Sequence, residues 1–215
     1  MTNDHNLSPM PNDHPTRRFR FSLRQLFLLV ALVAIGMAIG KWVFRKVVVV
    51  RAPRAEDRVF GDESLKSRRN VAVVSGRFMK GTYSSVKLYL VQSGIVAEIH
   101  GHFLGREKAE KGGPIWESAT MRLGLGEYPL TGGQRTDLLM TGEIPGGSIA
   151  STRKSTKHNF NVVAKETLPG RITPGRPHII YIEGDQAIVV DGSMTVEEFA
   201  RANTGNYLVV TVEIR

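Results

Sequence analysis

The sequence predicts a mainly β domain, sandwich or barrel-like, attached to an N-terminal transmembrane helix. Three observations carry that expectation. From Leu26 to Gly40 the chain reads LFLLVALVAIGMAIG without a charge. Beyond Val71, short apolar runs alternate with period two between turn residues, where a helical protein would repeat every 3.6. After the anchor only one segment, at Thr195, carries helix signals, and that single short helix would shift the class no further than α+β.

Composition bounds the function classes. The 215 residues suit one folded domain plus an added segment. With no cysteine, disulfide scaffolds, thiolate zinc sites, iron–sulfur clusters and cysteine nucleophiles are excluded. Lys and Arg number 29 against 20 Asp and Glu, a net +9 that attracts anionic surfaces. The excess is dispersed: four Arg minus two Asp give +2 over residues 1–24, Lys41 adds one, and the remaining +6 lies beyond residue 44. No basic recognition element or aromatic-basic signature forms, so nucleic acid is not an expected partner.

Residues 1–24 read as a disordered basic tail, with Pro9, Pro11 and Pro15 and no apolar periodicity. The echo of Asp4-His5 in Asp13-His14 lacks the preorganised geometry and supporting shell that metal capture needs.

Residues 25–44 are expected to be the transmembrane helix. The nineteen residues from Leu26 to Phe44 rise about 28 Å, close to a hydrocarbon core of roughly 30 Å. Lys41 would snorkel to the headgroups, Trp42 would sit at the same interface, and Arg24 would mark the opposite one. A cleaved signal peptide is the rival, since Ala38-Ile39-Gly40 resembles a cleavage site, but the bulky basic KWVFRK that follows favours an uncut anchor. A short basic tail, one apolar span and a long C-terminal domain give the signal-anchor layout, tail inside and domain outside. The expected location is the inner, cytoplasmic membrane, with a periplasmic C-terminal domain.

The run RFRFSLRQLFLLVALVAI, Arg18 to Ile35, resembles the anchor of single-pass membrane proteins of planctomycete bacteria. The resemblance covers about the first forty-four residues. It implies membrane attachment and a bacterial source, and it transfers no catalytic residue.

Residues 45–70 read as a charged juxtamembrane linker, with six Lys or Arg and four acids between Arg51 and Asn70. Residues 71–215 form the β-rich domain. Its clearest strand is YLVVTVEI, where Leu208, Val210, Val212 and Ile214 line a covered face and Tyr207, Val209, Thr211 and Glu213 a wetter one. Ile95, Ala97, Ile99, Gly101 and Phe103 alternate with Val96, Glu98, His100 and His102 in another half-buried strand. His178–Glu183 and Gln186–Val190 read as a hairpin across Gly184-Asp185. Further strands are expected at 70–75, 86–91, 119–123, 137–141 and 160–164. Thr195-Val196-Glu197-Glu198 is a capping box opening a helix that should stop at Gly205. Residues 105–114 and 145–159 read as loops, the second exposing Arg153, Lys154 and Lys157. Pro169-Gly170-Arg171 and Pro174-Gly175-Arg176 both read as type II turns.

The sharpest chemical constellation is Glu98, His100 and His102. Spaced by two on a strand, they would project from one face within reach of one metal ion, although that face opposes Ile95, Ile99 and Phe103 and lies on the solvent side. His158 and His178 cannot be placed beside them from sequence. GRFMKGT at Gly76 lacks the phosphate-loop Lys, and GLGEYP at Gly124 ends in Pro with no helix following. No GxSxG or HExxH occurs. The expectation is a binding or structural role without a cofactor, the partners being the lipid bilayer and an anionic lipid or acidic polysaccharide. The alternatives are a metal-dependent enzyme on the Glu98, His100 and His102 strand, and a cytoplasm-facing polyanion-binding module.

Overall fold

The computed structural model describes residues 22–43, 48–57, 67–79, 83–106, 116–143, 147–154 and 156–215. The chain divides into two compact units, Met1–Arg45 and Lys46–Arg215.

The first unit contains helix α1, Leu23–Val43. Its start is set by a reciprocal cap. The Ser22 hydroxyl accepts from the Gln25 amide at 3.3 Å, while the Gln25 side chain accepts from the Ser22 amide at 3.0 Å. The helix therefore begins before the apolar run does. Four successive side chains, Leu26, Phe27, Leu28 and Leu29, are 51, 68, 63 and 54% exposed, so no face of this turn is polar. Side chains of α1 are described as far as Met37, fifteen residues from Leu23 and about 22 Å of rise. Among these described residues no helix is long and apolar enough to cross a membrane. The tail expected at residues 1–24 lies outside the described residues up to 21.

The second unit is mainly β, as expected. Its described strands are β1 Val48–Arg51, β2 Ser67–Met79, β3 Ser84–Gln92, β4 Ile95–Arg106, β5 Trp116–Leu130, β6 Gly133–Glu143, β7 Gly147–Arg153, β8 Ala164–Thr167, β9 Gly170–Ile172, β10 His178–Gly184 and β11 Asn206–Ile214; helix α2 is Val196–Ala202. They form two antiparallel sheets, β6-β5-β2-β1-β9 and β7-β4-β3-β11-β10-β8. The inner faces share one core. Val48 and Val50 of β1, Val74 of β2 and Met121, Leu123 and Leu125 of β5 join Leu88 and Leu90 of β3 and Leu208, Val210 and Val212 of β11. Burying each such side chain contributes about 1.5–3 kcal/mol, and the shared cluster is what makes the pair of sheets a sandwich.

Several sequence expectations are corrected. β11 has no wet face until Glu213, because α2 packs Val196, Phe199 and Ala200 over Val91, Ile182, Tyr207 and Val209. Phe199 meets Tyr207 edge to face at 5.1 Å. The expected linker contains β1, an inner strand between β2 and β9 that buries Val48 and Val50. Its valines follow the basic Arg45 and Lys46 and are followed by the charged 51–70 stretch, so they read as part of a linker.

The Gly184-Asp185 hairpin does not form. β10 pairs instead with β11 and β8, and residues 187–190 run irregularly, with Ile188 and Val190 against the α2 cluster. There the Asn203 amide acts like a strand neighbour, accepting from Val189 N–H at 2.9 Å and donating to Val189 C=O at 2.8 Å. The same Asn203 ends α2, in extended backbone, so Gly205 is not a left-handed stop.

Residues 147–153 of the expected loop form edge strand β7. Only one of the two Pro-Gly turns appears. Gly175 has φ +90°, whereas Gly170 begins β9. The strand expected at 160–164 starts only at Ala164.

Candidate functional site

The Glu98, His100 and His102 constellation is broken by a β-bulge. β4 pairs Glu98 with Tyr89 and His100 with Leu88, leaving Ile99 as the extra residue. Side chains beyond it change faces. Glu98 lies outside, 2.7 Å from the Lys87 ammonium, while His100 and His102 turn inward beside Ile99 and Leu104. The histidine face is therefore not the solvent face. Among the described residues no three His, Asp or Glu side chains gather as a metal-ligand set.

The two imidazoles have another task. Among the described strands β6 is the edge of its sheet, so Leu138 presents an N–H and a C=O with no described strand beyond them. The Leu138 N–H donates to His100 Nδ1 at 3.0 Å, and the Leu138 carbonyl accepts from His102 Nε2 at 2.9 Å. Burial pushes His100 down to about 4, and the neighbouring His102, Arg153 and Arg135 add to this, so the ring is neutral at pH 7. With Nδ1 accepting, its proton is on Nε2, directed at Ser151 Oγ 2.9 Å away. Asp137, 1% exposed, stands at the same seam, with Arg153 at 2.9 Å and Arg135 at 3.3 Å. Desolvation raises its carboxyl above the ordinary range, while both guanidinium groups pull it back.

A second polar cluster links the sheets. Arg69 of β2 and Glu127 of β5 project from one inner face, Tyr181 and Glu183 of β10 from the other. Arg69 Nε donates to Glu183 at 2.8 Å, its remaining nitrogens bond Glu127 and Glu183, and Tyr181 O–H donates to Glu183 at 2.8 Å. Ser67 O–H donates to Glu127 at 2.7 Å. Beside it, His158 exchanges both backbone bonds with Gln134 and meets Thr136 through Nε2 at 2.8 Å. A cleft of about 310 Å³ opens next to this cluster, lined by Glu127, Pro129, Leu130, Gly133, Gln134 and Asn159. His178 is apart from all of these, its ring bonded to the Thr173 backbone.

The remaining sequence candidates are scattered. Arg153 pairs with Asp137, and Lys157 donates to the Thr131 carbonyl at 3.1 Å. Arg24 is exposed in the first turn of α1, and Lys41 and Trp42 belong to its last. The carboxylates that organise the interior, Glu127, Asp137 and Glu183, were not legible as a set, because they come from β5, β6 and β10 and meet only when the sheets do. The one available signal was a charged residue at an inward strand position, such as Arg69 opposite Leu125.

The geometry defines a β-sandwich whose interior polar groups neutralise one another across the two sheets. No family model, no curated protein and no solved structure matches this chain.

Proposed function

We propose that the protein is a single-pass anchored β-sandwich with a binding or structural role, held by α1 in the inner membrane of a bacterium with the sandwich on the periplasmic side. The observation that carries this reading is the run of exposed apolar side chains from Leu26 to Leu29, continued by Val30, Leu32, Val33 and Ile35 at 53–58%. In water that surface is costly at about 25 cal/mol per Å²; in lipid it is not. The helical backbone continues to Val43, 21 residues and about 31 Å, a length that suits a bilayer core. In the sequence, Arg24 precedes the apolar run and Lys41 with Trp42 follow it, the spacing that supports their reading as interface residues.

The role assigned to the sandwich rests on where its chemistry is directed. Arg69, Glu127 and Glu183 are engaged with one another, and His100 and Asp137 with Leu138, Ser151, Arg135 and Arg153. A binding role would use the outer surface and its cationic excess, for which anionic lipid headgroups or acidic polysaccharide are matching partners. Fusing alkaline phosphatase or green fluorescent protein to Arg215 of the full chain tests the topology. Active phosphatase with a dark fluorescent fusion is expected; the reverse would move the sandwich to the cytoplasm and leave a polyanion there as its partner.

A further inference from the structure

We propose that the imidazole pair His100 and His102 is an acid-sensitive latch between β4 and the free edge of β6, releasing that edge when His100 takes up a proton. Within each sheet the described strands are joined by backbone ladders, which do not titrate. At this seam the ladder is replaced by side chains. The Leu138 N–H donates to His100 Nδ1 and its carbonyl accepts a hydrogen bond from His102 Nε2, so one residue of β6 is held at both of its polar groups by β4.

The latch has only one protonation state that closes it. An imidazolium has no lone pair on Nδ1, so protonation removes the acceptor for Leu138 N–H and turns two donors towards each other. It also places a cation 4.8 Å from the His102 ring and among Arg135 of β6 and Arg153 of β7. Among the described residues, the acid set against His100 Nδ1 is Asp137 of β6 at 3.9 Å, already paired with those two guanidinium groups. On β3 the residues paired across from His100 and His102 are Leu88 and Val86, which carry no charge; the nearby Lys87 faces the other way, to Glu98.

The sign follows from burial. The closed seam holds His100 at about 4, below its ordinary 6.5, so the open form binds more protons between those values. Closure is fully favoured above pH 6.5 and is lost progressively as pH falls towards 4. Asp137, raised by desolvation, acts with the opposite sign.

The test is amide-exchange protection, corrected for the intrinsic pH dependence of exchange, in the full chain in detergent micelles. Between pH 7.5 and 5.0 the protection of Leu138 should fall on the order of tenfold, while that of Val210, paired on both sides in β11, stays constant. His100→Gln keeps an acceptor that does not titrate, and should abolish the fall. Constant protection at Leu138, an equal fall at Val210, or a wild-type fall in H100Q would overturn the latch. If H100Q does not fold, nitrogen NMR of the wild-type ring settles the matter. A neutral Nε2–H ring at pH 5.0 with Leu138 already less protected is expected; a ring titrating near 6.5 with protection unchanged overturns it.

Discussion

The Arg69 guanidinium bonds the Glu183 carboxylate across the sandwich, one residue from the inner face of each sheet, with Glu183 1% and Arg69 26% exposed. Arg69→Met would strand that carboxylate with only the Tyr181 hydroxyl. Removing one partner of a buried pair costs about 3–5 kcal/mol. The expected outcome is a urea midpoint lowered accordingly, with Tyr181→Phe costing about 1 kcal/mol.

Asn203 is 3% exposed and bonds three backbone groups: Val189 N–H, Val189 C=O and Phe199 C=O. Asn203→Ala leaves all three without that partner and should destabilise by about 2–3 kcal/mol. Thr195→Ala, which removes only the α2 cap, should cost about 1 kcal/mol. Chemical denaturation of both variants checks the order.

A Cβ at Gly184 would overlap the ring of Tyr207, which is fully buried under Phe199. Gly184→Ala should lose about 1–3 kcal/mol or more. A Cβ at Gly170 meets nothing within 4 Å, so Gly170→Ala should stay within about 0.5 kcal/mol. Thermal unfolding of the two side by side is the measurement.

The Arg51 guanidinium holds the Asp57 carboxyl down from 3.8 to about 2, against the opposing effect of burial. A depressed carboxylate contributes stability above its unfolded value and loses it as pH falls through the folded one. Asp57→Asn should therefore flatten the fall in urea midpoint between pH 4 and 2 relative to wild type.

What the sequence conveyed divides along physical lines. Period-two runs around Val86–Val91 and Leu208–Ile214 announced strands because core burial imposes that alternation. Thr195 and Glu198 announced α2 because a cap is local, and Ser22 with Gln25 carried the same signal for α1 unread. The bulge at Ile99 was invisible, since one extra residue leaves the alternating pattern intact on paper while reversing every side chain after it. That reversal is why His100 and His102 were assigned to solvent and Glu98 to their company. Gln186–Val190 looked like a strand because Ile188 and Val190 are apolar, but they pack beneath α2, a tertiary partner that no local window contains.

The most direct test of the anchoring claim is fractionation of cells carrying the full chain, with membranes washed in high salt and then alkaline carbonate. A chain tethered by α1 stays in the pellet through both washes and is released only by detergent. Recovery of the intact chain in the detergent-free supernatant would contradict the account.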